Sequence, residues 1–278
     1  MNIDVPQERL IYTESPISLL QSYMHPYLRS IRKTANEKGI RKAIELSFLN
    51  PIYGIWVQYI NSNKVEIDEV TIFLNGDSVS IFTKGSIARR THEESECELI
   101  ENHIEGDIDI VELGAGTGYL TSILDQSTTG HVIGVEADPR LIEDLKRTKE
   151  YNNLDFDIIP KAYSSSKTEV EFPLKNNFKF GSLHTDSKNK VSVKAVDLKQ
   201  IRNHLSDGPF GLVVDIEGAE ADLIKNEFDV IEEDIEWIII EFHPGKIGLD
   251  TTNEIQKILS DSTLSVNKTD GHVVYYKK

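Results

Sequence analysis

Cysteine is almost missing from this chain. Cys97 is the only one in 278 residues, which excludes an internal disulfide and any zinc site built from several thiolates. Long apolar runs are missing too: no stretch approaches the ~20 residues that a membrane-spanning helix requires. The opening residues, from Met1 to Arg9, lack a basic segment followed by an apolar one and do not read as a secretory signal. These absences predict a soluble, cytoplasmic protein with no integral membrane segment. Prolines number only 9, and neither internal repeats nor long low-complexity segments occur.

Positive charge is scarce over most of the length. Lys and Arg total 30 against 46 Asp and Glu, and the imbalance is uneven. Residues 1–90 carry 11 basic and 9 acidic groups, whereas residues 91–278 carry 19 and 37. A body so acidic repels phosphate backbones, so no nucleic-acid partner is expected. Basic residues do gather between 29 and 42, where Arg29, Arg32, Lys33, Lys38, Arg41 and Lys42 face the single Glu37. A solvated helix face is the first reading of such a run; peripheral contact with anionic lipid or a lipid-linked substrate is the second. Oligomeric state leaves no mark on the sequence.

Three regions are expected. Residues 1–64 form an N-terminal helical cap, with Leu19, Leu20, Tyr23, Tyr27, Leu28 and Ile31 at helical steps and a break at His25-Pro26. Residues 65–90 hold a β-hairpin, turned at Asn75-Gly76 between the alternating Val70, Ile72, Leu74 and Val79, Ile81. Residues 91–278 alternate helix and strand patterns, with strands at 108–113, 131–136, 155–160, 210–215 and 236–241 and helices at 93–104, 117–125, 139–151, 219–227 and 252–260. A polar excursion spans 163–190, a short strand 191–196, and a closing antiparallel hairpin 263–276. That alternation predicts an α/β Rossmann-like fold, a mainly parallel sheet with helices on both faces and ligands outside the carboxyl ends of the strands.

Chemistry concentrates at three of those strand ends. Residues 110–118 read Ile-Val-Glu-Leu-Gly-Ala-Gly-Thr-Gly, an apolar strand running into a glycine turn, and Glu136 follows 18 residues after Gly118 at the end of the next strand. Glycines let the backbone approach a ligand at positive φ, and a carboxylate at the neighbouring strand tip can accept from both hydroxyls of a ribose. The second strand end is Val213-Val214-Asp215-Ile216-Glu217-Gly218-Ala219-Glu220. Glu220 is expected to favour the positive end of a helix, and Asp215 to face the cofactor. In the third, Ile240-Glu241-Phe242-His243, Glu241 and His243 fall on one side of an extended segment. His243 is the first candidate for a general base, with Asp215 and Glu217 next. A divalent metal held by Asp215, Glu217 or Glu241 and His243 is the alternative, although no metal-ligand set is assigned.

Taken in order, V-E-L-G-A-G-T-G, G-V-E-A-D, K-A-Y-S, V-E-F, K-A-V-D-L, V-V-D-I-E-G-A-E and I-I-E-F-H-P resemble the FkbM family of class I S-adenosylmethionine (SAM) dependent methyltransferases over about residues 65–245. The family motif usually reads D-x-G-A-N-x-G; Glu112 replaces its Asp and Gly116 its Asn. The resemblance implies SAM as cofactor and O-methylation of a sugar, a glycan or a small natural product. It places Glu112, Gly114, Ala115, Gly116 and Gly118 along the methionine and ribose, Glu136 on the ribose hydroxyls, and Ala137, Lys161 and Ala162 around the adenine. Asp215 faces the methionine amino group or the acceptor, and Asp197 matches a position of unassigned role. Two other readings compete. An NAD(P)-dependent oxidoreductase would want a small residue where Tyr119 stands, and a non-catalytic scaffold would keep the fold without turnover.

Overall fold

The computed structural model describes residues 39, 45–75, 78–104, 106–174 and 190–278. Of the N-terminal cap expected over 1–64, residues 1–38 and 40–44 lie outside the described residues, as do residues 175–189 of the polar excursion. A π-helical turn, Glu45–Leu49, leads into α1 (Asn50–Tyr59). Among the described residues no helix is long and apolar enough to cross a membrane.

A hairpin follows, but not where Asn75-Gly76 placed it. Strands β1 (Lys64–Ile67) and β2 (Val70–Phe73) pair antiparallel through a two-residue turn at Asp68 and Glu69, with φ of 47° and 70°. Two positive φ angles suit the right-handed twist of a ribbon. The chain after Asn75 enters a helix instead. Ser80 Oγ accepts from Thr83 N at 3.0 Å and caps α2 (Ile81–Ala88), so Val79 and Ile81 are not a returning strand.

Among the described residues the main sheet has seven strands in the order β11 (Ser265–Asp270), β12 (Val273–Lys277), β10 (Ile235–Glu241), β9 (Phe210–Val214), β3 (Asp109–Leu113), β4 (Val132–Val135), β5 (Asp157–Ile159). Neighbours from β10 to β5 run parallel, and β12 is antiparallel to both β10 and β11. This is a Rossmann-like α/β architecture, a mainly parallel sheet closed by an antiparallel edge. A smaller sheet joins β6 (Ala162–Tyr163), β8 (Lys190–Val196) and β7 (Glu169–Pro173), so part of the expected polar excursion is strand. Strands β3, β4 and β9 are buried at every position, which is why they read as continuous apolar runs rather than alternations.

Helices cover both faces. On one, Val111, Leu113, Leu212, Val214, Ile238 and Ile240 pack against α6 (Leu198–Arg202), α7 (Glu220–Asn226), α8 (Phe228–Asp234) and α10 (Leu249–Ser260), which supply Leu198, Leu223, Ile231 and Ile255. On the other, Ile110, Val132, Val213 and Ile239 meet α3 (Glu94–His103), α4 (Tyr119–Ser127) and α5 (Pro139–Asn152) through Leu99, Leu124 and Leu145. A short α9 (Pro244–Ile247) connects β10 to α10.

The hairpin is fastened to this body in two ways. Tyr119, at the start of α4, is buried with Val65, Ile67, Val70 and Ile72. The free edge of β2 is closed by α5: Asn152 Oδ1 accepts from Thr71 N and its Nδ2 donates to Thr71 O, both at 2.8 Å, and Thr148 Oγ1 accepts from Phe73 N at 3.1 Å. Covering an edge in this way satisfies backbone groups that would otherwise invite another strand. Asn152→Ala should therefore cost about 1–3 kcal/mol in chemical denaturation, the penalty for stranding partly buried backbone groups. A loss within measurement error would show that α5 does not hold the hairpin.

Candidate functional site

The chain leaves β3, builds outward to β5, and returns beside β3 as β9. Such a reversal opens a crevice outside the carboxyl ends of the strands. Gly114 N and Ala115 N both donate to Val135 O, at 2.9 and 3.0 Å, so the loop after β3 folds over the end of β4. Gly114 has φ +101°, and a Cβ there would lie 2.0 Å from the carbonyl oxygen of Asp215. Gly116 has φ +55° with nothing within 4 Å of where its Cβ would stand, so it presents bare backbone to open space.

Glu136 ties this loop to the end of β4. Its Oε2 accepts from Gly116 N at 2.7 Å and its Oε1 from Asp138 N at 2.6 Å. Burial pushes its carboxyl up to about 7, against the pull of those amides. Ala137 lies between Glu136 and Asp138, whose carboxylate caps α5 on Arg140 N. Lys161 and Ala162 follow the end of β5, where Lys161 N donates to Ile159 O at 2.9 Å and Ala162 is buried beside β8.

Glu112 is the last residue but one of β3. Its side chain is buried and accepts from Thr121 Oγ1 on α4, and desolvation holds its carboxyl well above the usual range. It braces the packed layer beneath the glycine turn. Asp197 is a helix cap, accepting from Gln200 N at 2.7 Å.

Across the reversal, the ends of β9 and β10 bring Asp215, Glu241 and His243 together. His243 Nε2 lies 3.5 Å from Asp215 Oδ1 and 3.8 Å from Glu241 Oε2. Its other ring nitrogen, Nδ1, is 2.6 Å from Glu220 Oε1. Glu220 is completely buried and also accepts from Gly218 N at 3.0 Å, so it holds the imidazole as well as opening α7. That hydrogen bond is the main reason the His243 pKa is raised. Burial, then the charges of Glu241 and Glu93, push Asp215 up to about 7. Glu217 is set apart: its φ is +53° and its carboxylate pairs with Lys246.

The acidic helix contributes residues that sequence reasoning left out of the site. Burial and the charge of Glu93 push Glu96 up to about 8, with Glu241 and Asp215 adding to the effect. Glu93 and Glu96 thus share one electrostatic field with Asp215 and Glu241, although more than a hundred residues separate them along the chain. No local pattern could have announced that approach; the acidic start of the helix was the only sign. A separate hollow of about 230 Å³ between the hairpin and α4, lined by Ile67, Val70, Tyr119 and Ile123, lies away from these strand ends.

No family model matches the chain. It is 25% identical over 125 residues to the ribosomal protein L11 methyltransferases of two Clostridium perfringens strains, SM101 and 13; the match covers 43% of this chain and 36% of each relative. The chain therefore spans about a third of the length of those curated relatives. Among solved structures, it is similar to the tRNA (uracil-54, C5)-methyltransferase of Pyrococcus abyssi in complex with S-adenosyl-L-homocysteine, at 15% identity and TM-score 0.45 over 77% of this chain and 43% of that one. A second similarity is to Aeropyrum pernix fibrillarin with bound S-adenosyl-L-methionine, at 13% identity and TM-score 0.42 over 66% and 74%. A third is to an O-methyltransferase from Bacillus cereus with SAH, at 13% identity and TM-score 0.42 over 66% and 81%.

Proposed function

We propose that this protein is a SAM-dependent methyltransferase that transfers a methyl group to a hydroxyl of a sugar, a glycan or a small natural product, as its motif resemblance to the FkbM family implies. The observation that carries this reading is Glu136, a strand-end carboxylate anchored on the amide of Gly116, beside a glycine whose missing Cβ leaves the backbone open. A ribose fits that pair, because its two hydroxyls can donate to one carboxylate. Ala137 and the Lys161-Ala162 segment would flank the adenine, and the turn from Gly114 to Gly118 would carry the methionine portion. The local alignment with the L11 methyltransferases supports the cofactor reading, while their acceptor is not carried over. Residues 91–278 form the cofactor-binding unit in this proposal, with the segment before them attached through Tyr119 and α5.

When bound, SAM supplies a methyl carbon already activated by the positive sulfur. The protein's task is then alignment and removal of the acceptor proton. Asp215, Glu241 and His243 surround the place where an acceptor hydroxyl would arrive, and Glu220 fixes the ring of His243 towards them. Glu217, paired with Lys246, stands as a lesser candidate.

An NAD(P) enzyme is the less favoured reading, because Tyr119 occupies the position for a small residue and is committed to packing the hairpin. Calorimetry should show binding of SAM and S-adenosylhomocysteine but not of NADH. Glu136→Ala should weaken SAM binding by about tenfold to a hundredfold, the loss expected for hydrogen bonds to a charged group; unchanged affinity in a folded variant would contradict the assignment. Affinity should also depend on pH. Glu136 is largely protonated below about 7, and only its ionised form accepts freely from both hydroxyls. SAM binding should therefore tighten as pH rises from 6 to 8, and Glu136→Ala should flatten that profile. A profile unchanged by the substitution would refute the role.

A further inference from the structure

The cluster of Asp215, Glu241 and His243 has the makings of a metal site. Each residue can offer one donor atom, and all three donors lie within 4.8 Å of one another. Metal–donor bonds of about 2.0–2.2 Å put adjacent ligands roughly 3 Å apart. The 3.5 and 3.8 Å separations measured from His243 Nε2 would close to that with side-chain shifts of about 0.5 and 0.8 Å, within the reach of χ rotations of the two carboxylates.

Two further observations point to a cation rather than to carboxylates that are merely crowded. The first is the orientation of the histidine. A fully buried carboxylate, Glu220, takes its Nδ1 at 2.6 Å, which aims Nε2 at Asp215 and Glu241. Carboxylate–histidine–metal relays use this arrangement to fix the tautomer and to raise the basicity of the ligating nitrogen. The second is an orphaned atom. Asp215 Oδ1, the oxygen nearest Nε2, is shielded from solvent and has no hydrogen-bond partner among the described residues. A buried acceptor left without a partner is costly.

We propose that Asp215, Glu241 and His243 bind one divalent cation of the Mn²⁺ type, with Glu220 as the positioning residue behind His243. Two hard carboxylate oxygens and one imidazole nitrogen suit such an ion better than one that favours thiolate. Three protein ligands leave coordination positions open. Resting on the methyltransferase reading, the proposal gives the cation the task of binding the acceptor hydroxyl and lowering its pKa, so that His243 acts as a ligand rather than as the base. The hydroxyl releases its proton to water. Its oxygen pair forms the O–C bond while the S–C pair returns to sulfur, leaving a methyl ether and S-adenosylhomocysteine.

The test is titration of the full-length protein with Mn²⁺, followed by the electron paramagnetic resonance signal of the free ion and by calorimetry, without SAM. One ion should bind per chain. Asp215→Asn and His243→Ala should each weaken binding at least about tenfold, whereas Glu143→Gln, on an exposed part of α5, should leave it unchanged. If His243→Ala does not fold, the nearly isosteric Asp215→Asn decides alone. Absence of stoichiometric Mn²⁺ binding, or binding equally tight in Asp215→Asn, overturns the proposal. SAM titrations read the cofactor assignment separately: failure there with intact Mn²⁺ binding would remove the methyltransferase reading and keep the cation site.

Discussion

Everything at the strand ends depends on how closely the backbone after β3 approaches the backbone after β9. Asp215 N donates to Leu113 O at 2.9 Å, and the carbonyl of Asp215 sits 2.0 Å from where a Cβ of residue 114 would be. Only a glycine lets both strands reach this point together. The contact sets the glycine turn on one side of the reversal and the Asp215 cluster on the other. A side chain at position 114 would pry the two halves apart, and the functional elements would no longer face one space.

The second organising constraint is negative charge held out of water. Glu112, Glu136 and Glu220 are all buried, yet each is handled differently. Glu112 meets a single hydroxyl and is pushed towards its neutral form by desolvation. Glu136 receives two backbone amides. Glu220 is balanced by an imidazole and an amide. Glu227 shows what full satisfaction looks like: its carboxylate takes the hydroxyl of Tyr163 and the amides of Leu198 and Lys199, a bracing role remote from chemistry. Asp215 Oδ1 has no such hydrogen bond among the described residues, and the nearest ring nitrogen, His243 Nε2, stands 3.5 Å away.

The parallel strands were legible because they are buried on both faces, which leaves runs such as Ile238-Ile239-Ile240 in plain view. The strand-end positions of Glu136, Asp215, Glu241 and His243 were legible for a related reason: each closes or follows such an apolar run. The hairpin turn was not legible. Asn75-Gly76 offers the stronger turn chemistry, but the actual turn forces Asp68 and Glu69 to positive φ, and the Ser80 cap takes the following residues into a helix. Tertiary contact overrides local preference here, since β2 is held on α5 by Asn152 and Thr148. The grip of Glu220 on His243, and the field of Glu93 and Glu96 on the same cluster, were hidden because they join positions far apart in sequence.

The central claim is that the crevice shared by the glycine turn and Glu136 receives the adenosine part of SAM. A crystal structure of the protein with S-adenosylhomocysteine tests it most directly. The ribose hydroxyls should lie within hydrogen-bonding distance of the Glu136 carboxylate, with the methionine portion along residues 114–118. A ligand found elsewhere on the protein, with Glu136 still bonded only to its backbone amides, would contradict it.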